Sequence, residues 1–137
     1  MKFRKLFEAK TSDIAKVLIG IVKKIDRRFS YDGVKTSDYY GDNYNFSFET
    51  PEENSLDLCF TLDQDCVQYI GIVLLNITES DDEKKLFETV VKSTEKALNS
   101  YSKNFSAYTE DSYDSGDEQG WSLTYSRPKG GVVRIEN

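Results

Sequence analysis

The sequence predicts an α+β domain, a mainly antiparallel sheet with two amphipathic helices packed on it in the order α-βββ-α-ββ. Three observations carry this. Two segments repeat apolar residues at helical spacing, several short runs alternate apolar with polar residues, and no Pro- or Gly-rich linker divides the 137 residues. One domain, residues 1–137, follows from that length, with residues 1–10 as a basic and flexible N-terminal segment.

Ile14, Val17, Leu18, Ile21, Ile25 and Phe29 recur every three or four residues, and Thr11 or Ser12 is placed to cap the start. Residues 12–29 therefore read as the first helix, its apolar stripe turned to the sheet. Lys16, Lys23 and Arg27 fall on the opposite face, and Lys24 and Arg28 widen that basic stripe. Tyr44, Phe46 and Phe48 alternate with Asn45, Ser47 and Glu49, and the same period returns in Leu56, Leu58, Phe60 and Leu62. These are two half-buried strands. Asp63-Gln64-Asp65 turns the chain into Val67–Ile77, whose continuous apolar centre predicts a central strand buried on both faces.

Ser80-Asp81-Asp82-Glu83 matches a capping box, and Leu86, Phe87, Val90, Val91, Ala97, Leu98 and Tyr101 continue it as a second amphipathic helix to about residue 103. Tyr108 to Gly120 has no apolar period and carries Glu110, Asp111, Asp114, Asp117 and Glu118 without a basic residue, so a mobile acidic loop is expected there. Trp121, Leu123 and Tyr125 then alternate with Ser122 and Thr124. A turn at Arg127-Pro128-Lys129-Gly130-Gly131 leads into Val132–Ile135, a final hairpin.

The chemistry that can be excluded is broad. The chain has no histidine, which removes Ser-His and Cys-His catalysis, and two thiols without histidine cannot close a zinc site. Neither phosphate-loop nor dinucleotide glycine pattern is present. A calcium loop begun at Asp111 would put Tyr113 at its third position and Ser122 at its twelfth, where a carboxylate is required. No catalytic residue, metal ligand or cofactor is therefore assigned, and an enzyme is not expected. Cys59 and Cys66 are read as free thiols on opposite faces of a hairpin. The longest apolar run, Ile70–Leu75, is far short of the roughly 20 residues of a membrane span, and no secretory pattern opens the chain, so a cytoplasmic location is expected.

Charge divides the chain. Residues 1–29 hold nine basic and three acidic residues, a net +6, and the remainder carries −12. The positive stripe could follow an anionic membrane or a nucleic-acid backbone, but a surface helix docked by its apolar face is the favoured account. Asp32, Asp38 and Asp42 among the aromatic residues of 31–48 disfavour phosphate, and so nucleic acid. The acidic remainder matches a protein partner with a basic surface. The contact is assigned to Glu110, Asp111, Tyr113, Asp114, Asp117, Glu118 and Trp121, where carboxylates interleave with aromatic rings. An ordinary connection between helix and hairpin is the alternative there.

The element order, size and acidic balance resemble the small type III secretion chaperones and the related YbjN-like fold. That resemblance implies a chaperone that dimerises and holds an extended peptide by apolar contacts; the further C-terminal helix usual in that class is not matched by Val132-Val133-Arg134-Ile135-Glu136-Asn137. Met1-Lys2-Phe3-Arg4-Lys5-Leu6-Phe7-Glu8-Ala9 looks like the capsid-targeting peptides of internal head proteins in T-even-like phages, cut after Glu in a Leu-x-Glu pattern. That resemblance implies a phage origin, a location in the phage head or host cytoplasm, and inhibition of a host factor. The expectation is thus a small acidic inhibitor, anti-defence or immunity-type protein, with a secretion-type chaperone or phage internal head protein as alternatives.

Overall fold

A computed structural model describes residues 2–37, 41–76, 80–113 and 120–136, and the side chains of residues 13–37, 41–76, 80–111 and 120–136. The chain runs α1 (Lys2–Ile25), β1 (Ser30–Ser37), β2 (Gly41–Glu49), β3 (Ser55–Asp63), β4 (Cys66–Leu75), α2 (Asp81–Tyr101), a 3₁₀ turn (Lys103–Ala107), β5 (Thr109–Tyr113) and β6 (Gly120–Ser126). The strands form one antiparallel sheet in the order β1-β2-β3-β4-β6-β5. The α+β class stands, with one strand more before α2 than the alternation predicted.

The inner face of the sheet carries Tyr44, Phe46, Phe48, Leu56, Leu58, Phe60, Leu62, Val67, Ile70, Ile72, Leu74, Leu123 and Tyr125. These pack with Ala15, Leu18, Ile21, Val22 and Ile25 of α1 and Phe87, Val90, Ala97 and Leu98 of α2 in one core. Each fully buried side chain of this size contributes roughly 1.5–3 kcal/mol. The outer face has no helix over it among the described residues, and Tyr69 and Leu75 stand about half exposed there. β4 is central, as its composition indicates, but it is buried on one face only: Tyr69, Gly71 and Val73 look outward.

Several boundaries differ for physical reasons. The first helix begins at Lys2, so residues 2–10 are helical and Thr11 and Ser12 lie inside it. The segment 2–10 contains neither Pro nor Gly, and nothing in its propensity stops the helix there. The helix ends at Ile25, and Arg27 and Arg28 lie in the turn that brings Phe29 back into the core. The capping box does not form. Ser80 makes no side-chain cap, and Glu83, 2% exposed, instead accepts a 2.6 Å hydrogen bond from Thr50 Oγ1.

Residues 109–113 are strand, not loop. Thr-Glu-Asp-Ser-Tyr has little to bury, which suits an edge, whereas β6 carries the apolar residues that occupy the place beside β4. Residues 132–135 do not pair with β6. They return to the start of β4, where Val67 N donates to Val133 O at 2.8 Å and Ile135 N to Asp65 O at 2.8 Å. The turn at Gln64-Asp65 is formed with both residues at positive φ. Both cysteines are free, yet the register places Cys59, opposite Gly71, and Cys66, opposite Asp63, on the same outer face. The irregularity that leaves Gln68 unpaired shifts the phase between them, and four residues of strand, roughly 13 Å, still separate them.

Candidate functional site

α2 buries Phe87, Val90, Thr94, Ala97 and Leu98 and so turns Glu88, Val91, Lys92 and Glu95 along the side that faces β6. β6 supplies Trp121 and Leu123 from its inner face, opposite Leu74 and Ile72 of β4. β5 adds Glu110, whose neighbour across the ladder is Tyr125. These elements enclose an open groove of about 510 Å³. Its floor is apolar, formed by Phe87, Val91, Trp121 and Leu123, and its rim holds Glu88, Glu95 and Glu110 against the single cation Lys92.

At one end the groove is fixed by a hydrogen bond. Tyr125 Oη donates to Glu95 Oε1 at 2.6 Å, and the ring lies 5.2 Å from Phe105 of the 3₁₀ turn. Burial pushes the Tyr125 phenol well above its ordinary value, and the hydrogen bond to Glu95 and the charges of Glu95 and Glu110 add to it. The phenol therefore stays a donor, and its hydrogen bond holds the Glu95 side chain in place at the rim.

The residues assigned from sequence divide between two faces. Glu110 and Trp121 enter the groove, while Asp111 sits opposite Thr124 on the outer face. The Tyr113 backbone ends β5 opposite Ser122, and Asp114, Asp117 and Glu118 lie outside the described residues. Glu88 and Glu95 were not singled out from sequence, and Val91 was read only as part of the apolar stripe of α2. Their spacing of i, i+3 and i+7 beside the apolar stripe of α2 was the available signal.

The basic stripe is partly committed to the fold. Lys23 Nζ donates to the carbonyls of Arg27 at 3.3 Å and Phe29 at 3.1 Å, tying the last turn of α1 to the segment that follows it. Arg28 grips Asp26 through Nε at 3.1 Å and Nη2 at 2.8 Å, and its guanidinium stacks 4.5 Å above the Phe48 ring. The Arg28 hydrogen bond holds the Asp26 carboxyl below the usual carboxylate range. Lys16, Lys24 and Arg27 remain exposed on the surface.

On the outer face a second, polar hollow of about 680 Å³ is bounded by Asp32, Gly33, Val34, Lys35, Asn43, Asn45 and Cys59. Asp32 and Asn43 of this hollow are engaged by neighbouring hydroxyls: Ser47 Oγ donates to Asp32 Oδ2 and Thr61 Oγ1 to Asn43 Oδ1, both at 2.6 Å. Burial pushes the Cys59 thiol up, which makes it a poor nucleophile. Among the described residues no group of three or more carboxylates and thiols is arranged to hold a metal ion, and no helix is long and apolar enough to cross a membrane. Comparison with protein-family models, curated proteins and solved structures finds no match to this chain.

Proposed function

We propose that this chain is a non-catalytic binding module that masks a basic surface on a protein partner, in the manner of a small acidic inhibitor. The observation that carries the reading is the groove between α2 and β6, where three carboxylates rim an apolar floor containing the only tryptophan. Apolar and aromatic groups enclosed by a charged rim are the composition of a protein-binding hot spot. The −12 carried outside the first 29 residues favours and speeds encounter with a positive surface.

The experiment is affinity capture from the native host with two baits, the full chain and a variant with Glu88→Gln, Glu95→Gln, Glu110→Gln, Asp111→Asn, Asp114→Asn, Asp117→Asn and Glu118→Gln. One stoichiometric protein retained by the first bait, weakened about tenfold or more in the second and released at about 0.5 M salt, is expected. Equal retention by both baits at unchanged stability would overturn the reading. A secretion-type chaperone is the second reading, favoured by the exposed Tyr69 and Leu75 on the uncovered sheet face. Capture that survives high salt and is lost on Tyr69→Ser supports that reading instead.

A further inference from the structure

Six strands at roughly 4.8 Å spacing place the outermost strand axes about 24 Å apart, whereas two helices packed about 10 Å apart cover less than that width. α1 packs beside α2, and α2 lies over β4 and β6. Beyond α2 no further α-helix lies on the inner face of β6 and β5 among the described residues, where the 3₁₀ turn sets Phe105 against Tyr125, and Glu110 is exposed although it is on the covered side of the sheet. The groove is the space a third helix would fill.

We infer that this groove seats an amphipathic helix of the partner, apolar stripe down on Val91, Trp121 and Leu123 and lysine or arginine residues toward Glu88, Glu95 and Glu110. The inference rests on the reading of the chain as a binder of basic proteins and adds the form of the bound segment. Two features select the occupant. The rim is acidic on both sides, on α2 and on β5, so cations are needed along both flanks of whatever lies between. Glu88 and Glu95 are seven residues apart on α2, about 10 Å or two helical turns, which matches the i, i+4, i+7 spacing of apolar anchors on a helix laid alongside.

The position of Trp121 provides the assay, because the chain contains one tryptophan and it lines the groove. The full chain is titrated with an 18-residue Leu/Lys peptide patterned as an amphipathic helix, with a scrambled peptide of the same composition and with a Leu/Glu peptide of the same pattern. Saturable one-to-one binding of the patterned Leu/Lys peptide is expected, with a blue shift and reduced acrylamide quenching of Trp121. Its affinity should exceed that of the scrambled peptide by about tenfold or more. Val91→Lys and Glu88→Lys, the latter at an exposed rim position, should each weaken it by about tenfold, while Asp111→Lys on the outer face should leave it within about twofold.

Equal affinity for patterned and scrambled peptides, or binding indifferent to both Val91→Lys and Glu88→Lys, would overturn the helix seat. So would a chain that sediments as a dimer with Trp121 already shielded, because a second copy would then occupy the groove. None of these results touches the acid dependence of host-partner capture, so failure of the seat is distinguishable from failure of the basic-partner reading.

Discussion

Tyr108 is the clearest point at which a single oxygen holds distant parts of the chain together. It is 8% exposed, its ring lies 5.5 Å from Phe105, and its hydroxyl donates to Val67 O at 2.6 Å while accepting from Val133 N at 3.1 Å. Tyr108→Phe keeps the ring and its packing and deletes only the oxygen. Two hydrogen bonds are lost, and a buried carbonyl and a buried amide each lose a partner. At about 1–1.5 kcal/mol for each bond, with the penalty for leaving a group unsatisfied, the expected loss is about 3 kcal/mol. In a chain of 137 residues that lowers Tm by about 10 °C.

The assay is urea and thermal unfolding of both proteins with the denaturant slope compared, since a clean deletion shifts the midpoint and leaves the slope unchanged. Tyr101→Phe is the internal control. Its hydroxyl makes a similar clasp, accepting from Glu136 N at 3.0 Å and donating to Arg134 O at 3.4 Å, but at the exposed surface, where water replaces both bonds. It should cost about 1 kcal/mol or less. A loss below about 1 kcal/mol in Tyr108→Phe, or equal losses in the two variants, would refute the reasoning.

Thr50→Val strips the buried Glu83 carboxylate of its 2.6 Å partner, and Glu83→Met removes the carboxylate itself; each should cost about 2–4 kcal/mol, and the double variant should cost at least about 1 kcal/mol less than the sum, as urea titrations of the four proteins will show. Burial, with the charges of Asp42, Tyr31 and Asp65, pushes the Tyr44 phenol up to about 12, so the folded state binds that proton more tightly than the unfolded chain, whose phenol titrates near 10. The stabilisation is complete below about pH 10 and declines from there to about pH 12 by up to about 1.4 kcal/mol per pH unit, visible as a falling urea midpoint; tyrosinate absorbance rising fully near pH 10 without unfolding contradicts it. Gly41→Ala places a Cβ against Leu62 O at a φ of +93°, and a loss of more than about 2 kcal/mol in thermal unfolding is expected.

What was legible in the sequence was the part with a strong period. Tyr44-Phe46-Phe48 and Leu56-Leu58-Phe60-Leu62 pair on the inner face as their alternation requires, with Phe46 opposite Leu58 and Tyr44 opposite Phe60. The stripe of α2 gives its buried side, with Phe87, Val90 and Leu98 in the core. β1 was not legible because the irregularity between Tyr31 and Gly33, where Gly33 takes a φ of +116°, interrupts the period just where the alternation would be counted. β5 has no apolar residue inside it to mark a face, and its pairing is determined by β6. The capping box failed because Glu83 found a partner 33 residues away, which no local pattern contains. Of the groove, Glu110 and Trp121 were legible by composition. Its other wall depends on how α2 lies across β6, a tertiary relation with no counterpart in spacing.

The central claim, that a basic partner is held in the groove between α2 and β6, is tested most directly by carboxyl footprinting of the complex with the captured host partner. Carbodiimide labelling read residue by residue distinguishes the two faces, because Glu88, Glu95 and Glu110 line the groove while Asp57, Asp63 and Asp111 belong to the outer face. Labelling of Glu88, Glu95 and Glu110 reduced severalfold in the complex, with Asp57 and Asp63 labelled as in the free protein, is the predicted result. Protection of Asp57 and Asp63 with the groove carboxylates labelled as before would place the partner on the open sheet face and contradict the account.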